Sequence, residues 1–132
     1  NTAVGYNCLD SNTTGGSNVA MGTSALQANT TASENTAIGS SCLTFNTTGT
    51  ANTALGRNAL RENTTASSNT AIGFEALRAN TTGASNTAVG YESLKAMIST
   101  ADADIYNTAV GYQALGTEDD GDFASTGKRK TI

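Results

Sequence analysis

An all-β fold, a repetitive β-solenoid of parallel coils, is predicted by three observations. A 17-residue unit recurs along most of the 132-residue chain. Every unit carries a glycine at its fifth position between two short apolar runs. Large apolar residues are scarce: the hydrophobic fraction is 37% with alanine its commonest member, and the chain has no Trp, Pro or His. A fixed period outranks local propensity as evidence of architecture, because each unit must bury its apolar face against its neighbours.

The units read NTAVGYNCLDSNTTGGS from Asn1, NVAMGTSALQANTTASE from Asn18 and NTAIGSSCLTFNTTGTA from Asn35. NTALGRNALRENTTASS follows from Asn52 and NTAIGFEALRANTTGAS from Asn69. The sixth, from Asn86, is four residues longer, and the seventh opens as NTAVGYQAL at Asn107 before a charged tail. The β-roll is therefore expected over residues 1–115, with 116–132 a charged loop or tail leading towards a further coil. Because the chain begins without Met and inside its motif, it is expected to be a piece of something longer.

Thr-Ala-Val/Ile is a short β-prone run. Glycine after it allows a sharp corner or close backbone approach. The second run ends on leucine in all seven units, and Asn-Thr-Thr-Gly/Ala supplies a polar turn. Two short strands and two corners per unit are thus expected, with coils stacked about 4.8 Å apart. The aliphatic row Val4, Met21, Ile38, Leu55, Ile72, Val89 and Val110 is assigned to the inside. So is the leucine row Leu9, Leu26, Leu43, Leu60, Leu77, Leu94 and Leu115. Asn1, Asn18, Asn35, Asn52, Asn69, Asn86 and Asn107 should form a structural column of stacked amides. Alanines beside these rows, Ala3, Ala37 and Ala59 among them, would let an opposite strand or another subunit approach closely. So thin a coil buries little against a backbone ordering cost of about 1–2 kcal/mol per residue, which points to an oligomer.

Composition excludes several functions. A net charge of -4 and a pI near 4.5 oppose a nucleic-acid face, which needs a basic stripe. No apolar run reaches the length of a membrane span. Without histidine to act as base, and with serine and threonine recurring as turn residues, no enzyme is expected and no cofactor is required. Cys8 and Cys42 share position eight two coils apart, about 9.6 Å at the usual strand spacing and too far for a disulfide. They read as small buried residues, the alternative being a metal or interchain role.

Three groups remain as candidates. Asp102 and Asp104 in one irregular segment and Asp119, Asp120 and Asp122 in the next extend the same loop of adjacent coils. Such oxygen ligands suit Ca²⁺, the alternative being two solvated loops. Position six places Phe74, Tyr91 and Tyr112 on three successive coils, a candidate ligand face for sugar rings. Mutual stacking or a contact with another chain is the alternative. Asn12, Asn29, Asn46, Asn63 and Asn80 each open an N-T-T sequon, a turn motif that in a eukaryotic setting also accepts glycans. The threonine row Thr2, Thr36, Thr53, Thr70, Thr87 and Thr108, interrupted by Val19, raises a further option of ice binding.

N-T-A-[VI]-G-x-x-A-L resembles the head repeats of trimeric autotransporter adhesins (YadA-like heads), and NTAVGYxAL…NTTG is similar to arrays in tail-fibre-like proteins of bacteria, phages and large DNA viruses. The resemblance covers roughly residues 1–115. It implies a left-handed parallel β-roll, three chains about one axis, and attachment to a host surface through a glycan or protein. The expected protein is a non-enzymatic structural fibre or adhesin segment. It would be extracellular, on a cell surface or virion, with itself as first partner and no nucleic acid or membrane insertion. A self-assembling structural filament is the alternative, and an ice-binding solenoid a third reading.

Overall fold

The computed structural model describes residues 1–97 and 106–116. Seven three-residue strands, β1 (Thr2–Val4), β2 (Val19–Met21), β3 (Thr36–Ile38), β4 (Thr53–Leu55), β5 (Thr70–Ile72), β6 (Thr87–Val89) and β7 (Thr108–Val110), form one sheet in chain order. Every pairing is parallel, and the chain winds through about six turns of a β-solenoid. Register is the repeat itself: Thr36 pairs with Thr53, Ala37 with Ala54 and Ile38 with Leu55. The longer sixth unit does not disturb it, since Thr87 still pairs with Thr108.

The second apolar run is not a strand, contrary to the two-strand expectation. It is a succession of turns in which positions seven and nine hold positive φ, as at Asn58 (φ 61) and Leu60 (φ 50). A left-handed residue cannot continue a strand, and for non-glycine it costs roughly 1–2 kcal/mol. Coil-to-coil hydrogen bonding continues through these turns, with the Leu43 N–H donating to Ala59 O at 3.1 Å and the Asn58 N–H to Ser40 O at 3.0 Å. A third corner lies at position seventeen, where Ser68 has φ 62 and its N–H donates to Thr50 O at 3.0 Å.

The inside of the coil is narrow. Ala37, Ala54, Ala71 and Ala88 from the strands and Leu43, Leu60, Leu77 and Leu94 from the turns are fully buried and pack as one core. Met97 joins them at the end of the sixth coil's turn run. The aliphatic row assigned to the inside points outward instead. Val4, Met21, Ile38, Ile72 and Val110 are 37–59% exposed, and Leu55 and Val89 are half-buried. Alternation along a strand explains the reversal. Positions one and three share a face, so an inward asparagine puts alanine inside and sends positions two and four out.

Asparagine must be inward because it closes the coil. The Asn52 side-chain N–H donates across the interior to Ala66 O at 2.9 Å, and its Oδ1 accepts the Asn69 backbone N–H at 3.0 Å. The same two bonds recur at Asn18 and Asn35. A second column runs through the Asn-Thr-Thr turns. Asn63 donates to Ala66 O at 3.0 Å within its coil and to Asn46 Oδ1 at 2.8 Å in the coil before. These buried amides answer the rule that polar groups inside must be paired.

Position five tolerates only glycine. A Cβ on Gly56, where φ is +124, would stand 2.5 Å from the Gly73 carbonyl oxygen of the next coil. Gly56→Ala is expected to cost about 2–3 kcal/mol through strain and clash. Gly16→Ala, with nothing within 4 Å of its Cβ, should stay within about 0.5 kcal/mol of wild type. Urea unfolding followed by circular dichroism checks both.

Candidate functional site

Two outer surfaces differ in character. The sheet face carries position two, mostly threonine, and position four, wholly apolar. It runs as two parallel rows along all seven strands, and parallel in-register pairing keeps like beside like. The corner formed by positions six, seven and ten varies from coil to coil and carries most of the charged and aromatic side chains of the roll.

At that corner the aromatic residues form a ladder. Phe74 and Tyr91 stack with ring centroids 5.2 Å apart and planes 12° apart, and Tyr91 and Tyr112 at 5.2 Å and 8°. The Arg57 guanidinium lies over the other face of Phe74, 5.9 Å from its centroid. Both faces of Phe74 and of Tyr91 are thus occupied by neighbours, leaving their edges to solvent, and the Tyr91 hydroxyl hydrogen-bonds to Glu92. Tyr112 is 73% exposed. Tyr6, at the same position of the first coil, is followed by Thr23 and Ser40. A separate cation–π contact places Arg61 over Phe45 at 5.0 Å.

An ionic ladder runs beside the rings. Lys95 bridges Glu75 of the fifth coil at 2.8 Å and Glu92 of its own at 2.9 Å. Asn58 donates to Glu75 from the coil before, Gln113 to Glu92 from the coil after, and Arg78 stands 3.8 Å from Glu75. Partial burial pushes the Glu75 carboxyl up, but hydrogen bonds from Lys95 and Asn58 outweigh it and hold Glu75 below its ordinary value. Hydrogen bonds from Gln113 and Lys95 lower Glu92, and those same carboxylates raise Lys95.

The remaining candidates fall into place unequally. Asp102, Asp104, Asp119, Asp120 and Asp122 lie outside the described residues, and among the described residues no three acidic, cysteine or histidine side chains converge to hold a metal. Asn29, Asn46, Asn63 and Asn80 are fully buried, and each donates its side-chain N–H groups to two acceptors inside the roll. The nitrogen that would carry a glycan is therefore withheld in the folded coil. Cys8 is half-buried and Cys42 buried, both unpaired, and burial pushes the Cys42 thiol up to about 11. The outward aliphatic row is the surface that the sequence reading missed. The signal for it was present in the spacing of Asn and Ala.

No protein-family model, curated protein or solved structure matches the chain.

The ionic ladder sets a pH dependence. Carboxylates lowered on folding contribute stability that is present above their unfolded value, about 4.3 for glutamate, and lost as pH falls through the lower folded value. Lys95, raised on folding, contributes below its unfolded value and loses that contribution as pH rises through the higher folded one. Lys95→Gln should therefore melt below wild type at pH 7, and the two melting curves should converge near pH 3. Thiol chemistry gives a second test. Iodoacetamide at pH 7.5 should label Cys8 on the native protein and reach Cys42 only after denaturant is added, as peptide mass spectrometry would read.

Proposed function

We propose that the chain is a non-enzymatic structural segment of an extracellular fibre or adhesin, in which copies associate side by side through the sheet face to make a rigid shaft or head for attachment. The observation that carries this reading is the outward aliphatic row, 37–59% exposed at five of its positions along a face seven strands long. An isolated soluble roll gains nothing from displaying it, and contiguous apolar surface of this kind marks an interaction site. The occupant that fits is another copy of the same chain. Ranks of threonine (valine once) and of aliphatic side chains repeat at one spacing, so two such faces match in period along their whole length.

Three copies about an axis is the arrangement we favour, following the resemblance to trimeric adhesin heads and tail-fibre-like repeats. The host-surface ligand, glycan or protein, would meet the assembly away from this face, where residues differ between coils. An end-to-end structural filament is compatible with the same lateral contact. Ice binding fits the face less well: Val19 interrupts the threonine row, and Met21, Leu55 and Val89 give the neighbouring row an uneven height.

Sedimentation equilibrium at micromolar concentration tests the reading. The wild-type chain should sediment at three times its 13.3 kDa mass. Ile38→Glu combined with Ile72→Glu should reduce that to the monomer while the far-ultraviolet spectrum stays β-rich. A wild-type monomer at that concentration would overturn the proposal.

A further inference from the structure

Position six of the last two described coils brings together two phenols with nothing between them. Parallel pairing of β6 with β7, Val89 beside Val110, fixes the coils in register two residues before these rings. The Tyr91 and Tyr112 centroids are 5.2 Å apart with planes 8° from parallel, so the two rings run side by side as direct neighbours. Both side chains are open to small reagents, Tyr91 being 43% and Tyr112 73% exposed. Tyr91 is held from behind by Phe74, itself covered by Arg57. Tyr112, the more exposed ring, has room to tilt.

We propose that Tyr91 and Tyr112 are a dityrosine site: a one-electron oxidant, such as a haem peroxidase with hydrogen peroxide, couples them and joins the sixth coil to the seventh covalently. Each phenol gives up one electron to the oxidant and one proton, leaving a phenoxyl radical with spin density on the carbons ortho to oxygen. The two radicals form one carbon–carbon bond between those ortho carbons. Each ring then moves the hydrogen of its coupled carbon to oxygen and regains aromaticity. The sum is two electrons and two protons lost and one bond made. Hydrogen peroxide is reduced to water by the same two electrons and two protons.

The surroundings supply the proton acceptor. Partial burial and then the adjacent Glu92 carboxylate keep the Tyr91 phenol protonated above its ordinary value, so its oxidation must release a proton. Glu92 stands beside it, kept ionised by Gln113 and Lys95. Phe74 extends the stack but has no hydroxyl, so it cannot form the second radical. Tyr6 has threonine at the matching place of the next coil. The pair is thus distinguished from Tyr6 by geometry and not by access, since Tyr6 is itself 74% exposed.

The test uses the full chain with Cys8→Ala, which removes the half-buried thiol that would reduce tyrosyl radicals; alanine occupies this position in other coils. The protein is treated with horseradish peroxidase and hydrogen peroxide, digested, and read by mass spectrometry. The expected product is one peptide pair joined through Tyr91 and Tyr112 within a single chain, lighter by two hydrogens and showing dityrosine fluorescence. Tyr91→Phe should abolish it, Tyr6→Phe should leave it, and unfolding in urea before oxidation should erase the preference. The proposal is overturned if tyrosine is consumed without that linkage. It is equally overturned if the dominant linkage joins separate chains or involves Tyr6 or Tyr106, or if the urea-unfolded chain gives the same product.

Discussion

The roll depends on one carbonyl per coil that points inward. At position fifteen, on Ala66 for example, the backbone oxygen turns into the interior and accepts two side-chain amides, from Asn52 at 2.9 Å and Asn63 at 3.0 Å. A carbonyl buried without a partner would cost about 1–3 kcal/mol; with two it ties the sheet to the opposite turn. Asn52 and Asn63 then each bond to the neighbouring coil, so closure of one turn and stacking of the next are parts of one network. The small residue at position fifteen, Gly or Ala throughout the first five coils, follows from the same crowding.

That network decides which way every strand faces. Hydrophobicity alone assigns Val4, Ile38 and Ile72 to the inside, and a three-residue strand is too short for its own alternation to contradict this. Asparagine at position one contradicts it, because its amide is needed within and parity then fixes alanine at position three as the inner residue. The fold class, the register and the columns of like residues were legible because a strict period leaves no other arrangement of the coils. The left-handed conformation at Leu26, Leu43, Leu60, Leu77 and Leu94 was not, since leucine carries no sequence signal for positive φ. It is imposed by the tightness of the turn and tolerated because each leucine is fully buried against its fellows.

An interior of alanine, leucine and asparagine leaves the largest exposed apolar row on the outside. In an ordinary globular domain the branched aliphatics make the core and the polar residues the surface. Here coil diameter forbids the first arrangement: with a leucine already reaching across from the turn, the facing strand has space for a methyl group alone. The branched residues keep their strand preference but spend it on the outer face, where they become available to another chain. The apolar outer row and the narrow core are therefore one feature seen from two sides.

The variable corner divides the roll along its length. In the first three coils position six reads Tyr6, Thr23 and Ser40, and position seven Asn7, Ser24 and Ser41, small polar groups for the most part. From the fourth coil onward the same positions hold Arg57, Phe74, Tyr91 and Tyr112 beside Asn58, Glu75, Glu92 and Gln113, and each of these touches its counterpart or a shared lysine in the next coil. Individually such surface contacts are worth little. In a solenoid, however, the weakest junction between coils is where the array opens, and two ladders on one corner strengthen three consecutive junctions. These junctions flank the longer sixth unit, where the roll must carry four extra residues and return to register at β7. Charge and aromatic area at this corner are already committed to holding coils together. What remains for an outside partner is the ring edges and the solvent-facing part of Tyr112.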